Sequence, residues 1–165
     1  MAKVRYHKLD LAARQLETAV WMFLESKDRF SVITLAGAAS GILMQLVLNA
    51  GKLPFADYGR LIIREQSGVM PTREKYNKRV SDLFGINVLK HHAADDPPIV
   101  ELSEERAAEN AIIRALVDYI ELRGQDAPFV KAFLQYTWVA RNGPEVMKAY
   151  NAQPERVKRL RDLIK

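Results

Sequence analysis

Apolar residues recur at helical spacing along most of the 165-residue chain. In residues 9–26, Leu16, Val20 and Phe23 follow one another at intervals of three or four and form one apolar stripe. The same periodicity is clearest in residues 103–124, whereas the strict alternation typical of strands is scarce. The pattern therefore predicts an all-α fold, an antiparallel bundle of five to six helices.

Glycine, proline and capping residues set the expected helix boundaries. We expect helices over residues 9–26, 28–51, 55–68, 72–92, 103–124 and 126–142, with a basic amphipathic helix over residues 154–165. The predicted N-caps are Asp28, Thr72, Ser103 and Asp126. Gly85 falls inside the fourth predicted helix and is expected to kink it or to allow a close contact. No linker is long enough to separate two domains, so residues 1–165 are predicted to form one domain.

Residues 30–51 carry no charge and raise the question of a membrane span. Polar residues such as Gln45 and Asn49 interrupt the segment, and no tryptophan or tyrosine marks either end. Both observations favour a helix that is buried in protein on nearly all sides and not in lipid. Gly37 and Gly41 would then let a neighbouring helix approach closely.

The composition narrows the chemistry that is available. The chain has no cysteine, which excludes disulfides, thiolate metal ligands and cysteine nucleophiles. The formal net charge of +5 is compatible with an anionic partner such as nucleic acid without requiring one. The first residues are polar and of mixed charge, without the apolar stretch of a signal peptide, so we predict a cytoplasmic protein with no membrane partner. The sequence contains no phosphate-binding glycine loop, dinucleotide fingerprint or zincin motif.

The densest group of reactive side chains lies in residues 87–92. In a helix, Asn87 and His91 would face the same way, four residues apart, with Lys90 beside them. An amide, an imidazole and an ammonium group together can hold a phosphate and move a proton. The alternative is structural, because histidine and lysine in the last turn of a helix are favoured by the helix dipole.

Four potential metal ligands follow closely on one another: His91, His92, Asp95 and Asp96. Adjacent histidines point to different faces of a helix, and no second cluster in the sequence completes a coordination shell. We therefore predict neither a metal site nor a cofactor.

Two basic segments offer contacts to nucleic acid. Lys78 and Arg79 precede the motif, and together with Lys90 they are the candidate phosphate-binding residues. The second basic segment is the C-terminal basic helix. The alternative for both segments is a solvated charged face. Neither segment is interleaved with the aromatic side chains of a surface that binds single strands.

The order of these features resembles the HEPN superfamily of small helical bundles. The resemblance lies in the opening helix pair, with Arg29-Phe-Ser-Val-Ile-Thr-Leu-Ala-Gly-Ala-Ala in its second member, and in Asn87-Val-Leu-Lys-His91 followed by a helix over residues 107–122. Active members carry an arginine, a polar residue and a histidine. The resemblance implies metal-independent RNA cleavage, in which the 2′-hydroxyl attacks the adjacent phosphate, and protomers that pair with their motifs facing each other.

Carried onto this chain, the motif is incomplete. Asn87 takes the polar position and His91 the histidine position, but the arginine position holds Ile86. Where acidic residues are expected in the second helix, the chain has Ser40 and Gly41. Isoleucine supplies no cation to the transition state.

We therefore predict a HEPN-like homodimer with a degenerate ribonuclease motif. Its expected role is to bind RNA, a nucleotide or a protein partner in a defence or toxin–antitoxin type of system. One alternative is a weak metal-independent endoribonuclease that uses His91 with Lys90 or Arg79. The other is a non-enzymatic, oligomeric interaction protein.

Overall fold

In the computed structural model, the described residues are 3–153, 155 and 162, and they contain helices and no strand. The helices are α1 Lys8–Leu24, α2 Arg29–Asn49, α3 Phe55–Ser67, α4 Arg73–Leu83, α5 Glu104–Arg123, α6 Pro128–Ala140 and α7 Gly143–Asn151. The predicted all-α class is confirmed, with seven helices in the described part of the chain instead of five to six. The chain divides into two compact units, Met1–Gly124 and Gln125–Lys165.

Helix α2 is the centre of the first unit, because it packs against both α1 and α5. The core is built from the apolar stripes of these three helices. Its fully buried side chains include Leu16, Val20, Val32, Ile33, Leu43, Val47 and Ile112. Small residues on α5 let the helices pack closely: Ala108, Ala111 and Ala115.

One face of α2 is open to solvent, which corrects the expectation of burial on nearly all sides. Phe30, Thr34, Gln45 and Asn49 are exposed along this face. By length and composition α2 is also the kind of helix that can cross a membrane, a test that core helices of other proteins pass as well. Asp28 caps it as predicted, since its Oδ2 accepts a hydrogen bond from the Ser31 amide at 2.7 Å.

Helix α4 ends at Leu83, so the predicted helix over residues 72–92 is too long. Gly85 adopts a positive φ of 71°, which suits glycine and stops the helix. The Ile86 amide donates to the Ser81 carbonyl at 2.9 Å and the Gly85 amide donates to the Asp82 carbonyl at 3.1 Å. This is the Schellman motif of a helix C-terminus, and it replaces the expected kink.

The two glycines of α2 behave differently. A Cβ on Gly37 would lie 2.7 Å from Cγ2 of Ile86, so Gly37 makes room for the residue that follows the α4 cap. A Cβ on Gly41 would meet nothing within 4 Å. The expected close approach is therefore found at Gly37, against a side chain and not a helix, and is wrong for Gly41.

The other predicted caps were partly right. Thr72 Oγ1 accepts from the Lys75 amide at 3.3 Å and caps α4. Ser103 occupies the N-cap position of α5 but makes no side-chain capping bond. Asp126 is not a cap, because Ala127 precedes α6, and it pairs instead with Lys131 at 3.2 Å.

The second unit contains α6 and α7. Helix α7 was not predicted, since Asn142 and Gly143 suggested only a chain break. Asn142 adopts a left-handed conformation that turns the chain, and Pro144 then stands in the first turn of α7, where its missing N–H costs nothing. The predicted basic helix over residues 154–165 lies outside the described residues, apart from positions 155 and 162.

Candidate functional site

Asn87 and His91 lie in a single hydrogen-bonded turn after the α4 cap, not in a continuing helix. The His91 and Lys90 amides both donate to the Asn87 carbonyl at 3.0 Å. The spacing of four residues is thus kept by one local turn. This turn keeps Asn87 and His91 on a common surface, as the sequence suggested.

That surface is a groove with a volume of about 560 Å³. Its lining residues come from the end of α4 and the loop before α5: Asp82, Asn87, Val88, His91, His92, Asp96, Pro97, Pro98 and Val100. The candidate phosphate-binding residues Lys78, Arg79 and Lys90 do not line it. The groove brings together two of the five predicted site residues, and their roles stay predictions.

The charges in this groove do not favour a phosphate. Asp82 and Asp96 contribute carboxylates, and the lining includes no arginine or lysine. The Asn87 amide is already used, because its Nδ2 donates to Asp82 Oδ1 at 2.8 Å. A phosphate placed beside His91 would meet two negative groups and no fixed cation.

A complete ion cluster lies between α3 and α4. Asp57 is 3% exposed and receives hydrogen bonds from Arg60 Nη1 at 2.6 Å and from Arg73 Nη2 at 2.7 Å. Burial alone would raise the pKa of Asp57, but the hydrogen bonds and charges of Arg73 and Arg60 hold it below its usual value. This carboxylate is matched by opposite charge and ties α3 to the start of α4.

Arg114 is a buried cation that has no such match. It is 6% exposed on α5 and donates to Ser81 Oγ at 2.9 Å and Asn77 Oδ1 at 3.2 Å, both neutral groups on α4. Burial lowers its pKa, although the charge of Asp118 and that of Tyr76 oppose the effect. No ion pair of Arg114 is found among the described residues.

Asp118 is the nearest carboxylate to Arg114 along α5, one turn further on. It is 2% exposed, and its Oδ1 accepts from the Phe55 amide at 2.7 Å, which caps the start of α3. Burial raises the pKa of Asp118 to about 6, against the opposing effects of the Phe55 amide and of Arg114. Near neutral pH it is a carboxylate committed to α3, with only a Coulombic interaction with Arg114.

Lys90 is an exposed lysine in the turn after α4. Desolvation lowers the pKa of Lys90, and the charge of Arg114 lowers it further. Burial raises the pKa of the Tyr76 hydroxyl, and the charges of Arg114 and Arg79 oppose that rise. None of the three cations Arg114, Lys90 and Arg79 lines the groove of His91.

Arg114, Asp118 and Asp57 were not predicted from the sequence. A signal for the first two was present, since they stand four residues apart within the apolar stripe of α5, where neutral residues are the rule. Charged residues at core positions of a clean stripe indicate a buried polar network. Asp57 had no comparable signal, because its partner Arg73 comes from another helix.

The described residues contain no group of three or more histidine, aspartate or glutamate side chains that is able to hold a metal ion. His91 can exchange a proton in its groove, but the lining supplies no lysine or arginine there. Comparison with known protein families, with curated proteins and with solved structures gives no significant match.

Proposed function

We propose that the protein is a HEPN-like module that binds RNA without cleaving it. The observation that carries this proposal is the separation of imidazole from cation. His91 lines a groove with two carboxylates and no arginine or lysine, and the three candidate phosphate-binding cations do not line it. Cleavage requires a proton-transfer group and a cation at the same phosphate, while binding requires only the cation.

Ile86 supports the absence of cleavage. In the resemblance it occupies the position of the catalytic arginine. Its side chain is 4% exposed and fits against Gly37, where a Cβ would already lie 2.7 Å from it. This position points into the core of the first unit, so the side chain there would not reach a bound phosphate.

Purified protein and a single-stranded RNA, with divalent metal chelated, test the proposal. We expect saturable binding that weakens as salt rises, because phosphate contacts release counterions. We expect no cleavage products, with wild type and His91→Ala indistinguishable in the cleavage assay. Robust cleavage by the wild type that His91→Ala abolishes would overturn the proposal in favour of a metal-independent endoribonuclease.

We also propose that the protein is a homodimer, as the resemblance implies. Trp21 at the end of α1 and Phe30 at the start of α2 are both exposed. Large exposed apolar side chains favour association. Sedimentation at micromolar concentration should give twice the chain mass of 18.8 kDa, and a monomer at that concentration would exclude the dimer.

A second candidate function, protein interaction, is favoured by the surface of α6 and α7. Six large apolar side chains are exposed within residues 134–150: Leu134, Trp138, Val139, Val146, Met147 and Tyr150. A protein partner with an apolar face would suit this surface.

The two candidate functions, RNA binding and protein interaction, predict that one double variant loses different binding activities. Replacing Trp138 and Tyr150 by serine should leave RNA binding intact if the first unit holds the RNA. The same double variant should lose capture of a partner if the α6–α7 surface is an interaction site. RNA binding that disappears in this variant would instead move the RNA to the second unit.

A further inference from the structure

We propose that the open face of α2 is the surface on which a second copy of this chain docks, antiparallel, with the two-fold axis beside Gly41. The inference rests on the proposed homodimer and deepens it, because it names the helix through which the two copies meet. The open face consists of the exposed residues of α2: Phe30, Thr34, Gly41, Gln45 and Asn49. These residues recur at helical spacing and form one stripe along the length of the helix.

The open face differs from the exposed surfaces of α1 and α5 because none of its residues carries a charge. Each of the other two helices exposes four charged side chains: Lys8, Asp10, Arg14 and Glu17 on α1, and Glu104, Glu105, Arg106 and Arg123 on α5. A helix face in solvent normally carries charged residues, whereas the centre of a protein interface is depleted of them. The open face therefore has the composition of an interface.

Gly41 stands in the middle of the open face, and the packing of its own chain does not explain it. A Cβ on Gly41 would meet none of the described residues within 4 Å, whereas a Cβ on Gly37 would lie 2.7 Å from Cγ2 of Ile86. Glycine inside a helix destabilises it relative to alanine. Close packing against Ile86 offsets that cost at Gly37. At Gly41 the close approach of a second backbone would offset it.

Charge favours a second copy of the chain as the partner of this face. The chain has a net charge of +5, so two copies repel each other where their charged surfaces meet. Two copies of the open face bring no charged side chains together. Parallel copies of α2 would set like ends of the helix dipole side by side, whereas antiparallel copies set opposite ends side by side. The antiparallel arrangement is therefore the one that we propose.

The polar groups of the open face favour a protein partner over lipid. Thr34, Gln45 and Asn49 carry hydrogen-bonding groups, which are costly to bury in hydrocarbon. Gln45 Nε2 donates to Asn49 Oδ1 at 2.9 Å, and each of these amides keeps further donors or acceptors. In an antiparallel pair, residues equally far before and after Gly41 lie opposite each other. Asn49 of one copy therefore comes beside Thr34 of the other, where the two side chains can form a hydrogen bond.

Cysteine cross-linking tests the position of the axis directly, because the chain has no cysteine of its own. In Gly41→Cys the two thiols should lie within reach of a disulfide, so oxidation with copper phenanthroline should convert most of the protein into a covalent dimer. Thr18→Cys is the matched control, since Thr18 is exposed on α1 outside the open face. It should remain mostly uncross-linked under the same conditions.

Gly41→Glu should separate the two copies without unfolding either one. The chain around Gly41 has room for the new side chain, but two carboxylates would meet at the axis, so the dissociation constant of the dimer should rise by at least about a hundredfold. Sedimentation should then give the chain mass of 18.8 kDa, with an unchanged helical circular dichroism spectrum. Thr18→Glu is the matched control and should stay dimeric. A dimeric Gly41→Glu protein would overturn the inference.

The outcomes also separate this interface from the proposed homodimer. If the wild type sediments as a dimer but Gly41→Cys does not cross-link, the homodimer stands and the interface is overturned. If the wild type is a monomer at micromolar concentration, both fail, and RNA binding is unaffected. Flotation of the wild type with phosphatidylcholine vesicles that Gly41→Glu abolishes would assign the open face to lipid and would also overturn the inference.

Discussion

Asp57 and Arg114 are both buried charges of the first unit, but only Asp57 is hydrogen-bonded to groups of opposite charge. Asp57 receives hydrogen bonds from Arg60 and Arg73. Arg114 donates only to the neutral Asn77 and Ser81 on α4, and Asp118 acts on it through charge alone. A buried charge with hydrogen-bonded counter-charges depends strongly on them, whereas one held by neutral groups costs stability.

The largest effect on stability is expected at Asp57. Asp57→Asn removes the charge that two arginines share and should lower the free energy of unfolding by about 3 kcal/mol. Urea denaturation measures this loss. Asp10→Asn is the matched control, because its pair with Arg123 is exposed and 3.4 Å long, and its loss should be much smaller. Equal losses in the two variants would contradict the role of the Asp57 cluster.

A pH dependence is expected from Asp118. Its pKa is about 6 in the folded protein, above the ordinary aspartate value of 3.8, so between these values the folded state binds more protons than the unfolded state. Stability should therefore be highest near pH 4 and fall as pH rises to about 6, by roughly 3 kcal/mol at most. The groups that act on this carboxyl are Arg114, Asp57, Glu121, Tyr58 and the Phe55 amide.

Comparison of wild type with Asp118→Asn isolates this dependence. The variant should lack the fall between pH 4 and pH 6. The pKa of Asp57 lies below 3.8, so its contribution is lost only at lower pH and has the opposite sign. Parallel pH profiles of the two proteins would show that Asp118 titrates normally.

A smaller effect on stability is expected when the charge of Arg114 is removed. Arg114→Met keeps much of the side-chain volume and should change the free energy of unfolding by no more than about 1 kcal/mol, because the lost hydrogen bonds are offset by the avoided burial of a cation. A destabilisation as large as that of Asp57→Asn would show that the fold depends on Arg114 as much as on Asp57, and would contradict the difference between these two buried charges.

The smallest effect is expected at Ser40. Ser40→Ala removes a buried hydroxyl without a partner, so stability should stay the same or rise by up to about 1 kcal/mol. Thermal unfolding measures the change. A clear loss of stability would mean that the Ser40 hydroxyl is satisfied in the folded protein.

Local patterns in the sequence were enough to predict six of the seven helices in the described residues. The apolar stripes indicated the helical class, and Asp28 and Thr72 were correctly placed as caps because a cap acts on amides two or three residues away. The end of α4 was misplaced, because the cost of glycine within a helix is small and the Schellman geometry at Gly85 depends on its surroundings. Helix α7 was missed because Asn142 and Gly143 also resemble a simple turn.

The candidate site was predictable only in part, because it depends on contacts between distant residues. Asn87 and His91 are adjacent through a local turn, and the sequence placed them together. Lys90 does not line the groove, although it is next to His91 in the sequence. The hydrogen bonds of Arg114 to Ser81 and Asn77 span 33 and 37 positions of the chain, and no local pattern predicts them.

The most direct test of the central claim is an NMR titration of side-chain resonances with uridine monophosphate. We expect the Lys90 side chain to shift and to saturate as nucleotide is added, while the His91 imidazole remains unchanged. A shift of His91 with Lys90 unchanged would place the phosphate in the groove and contradict the separation of phosphate binding from the imidazole.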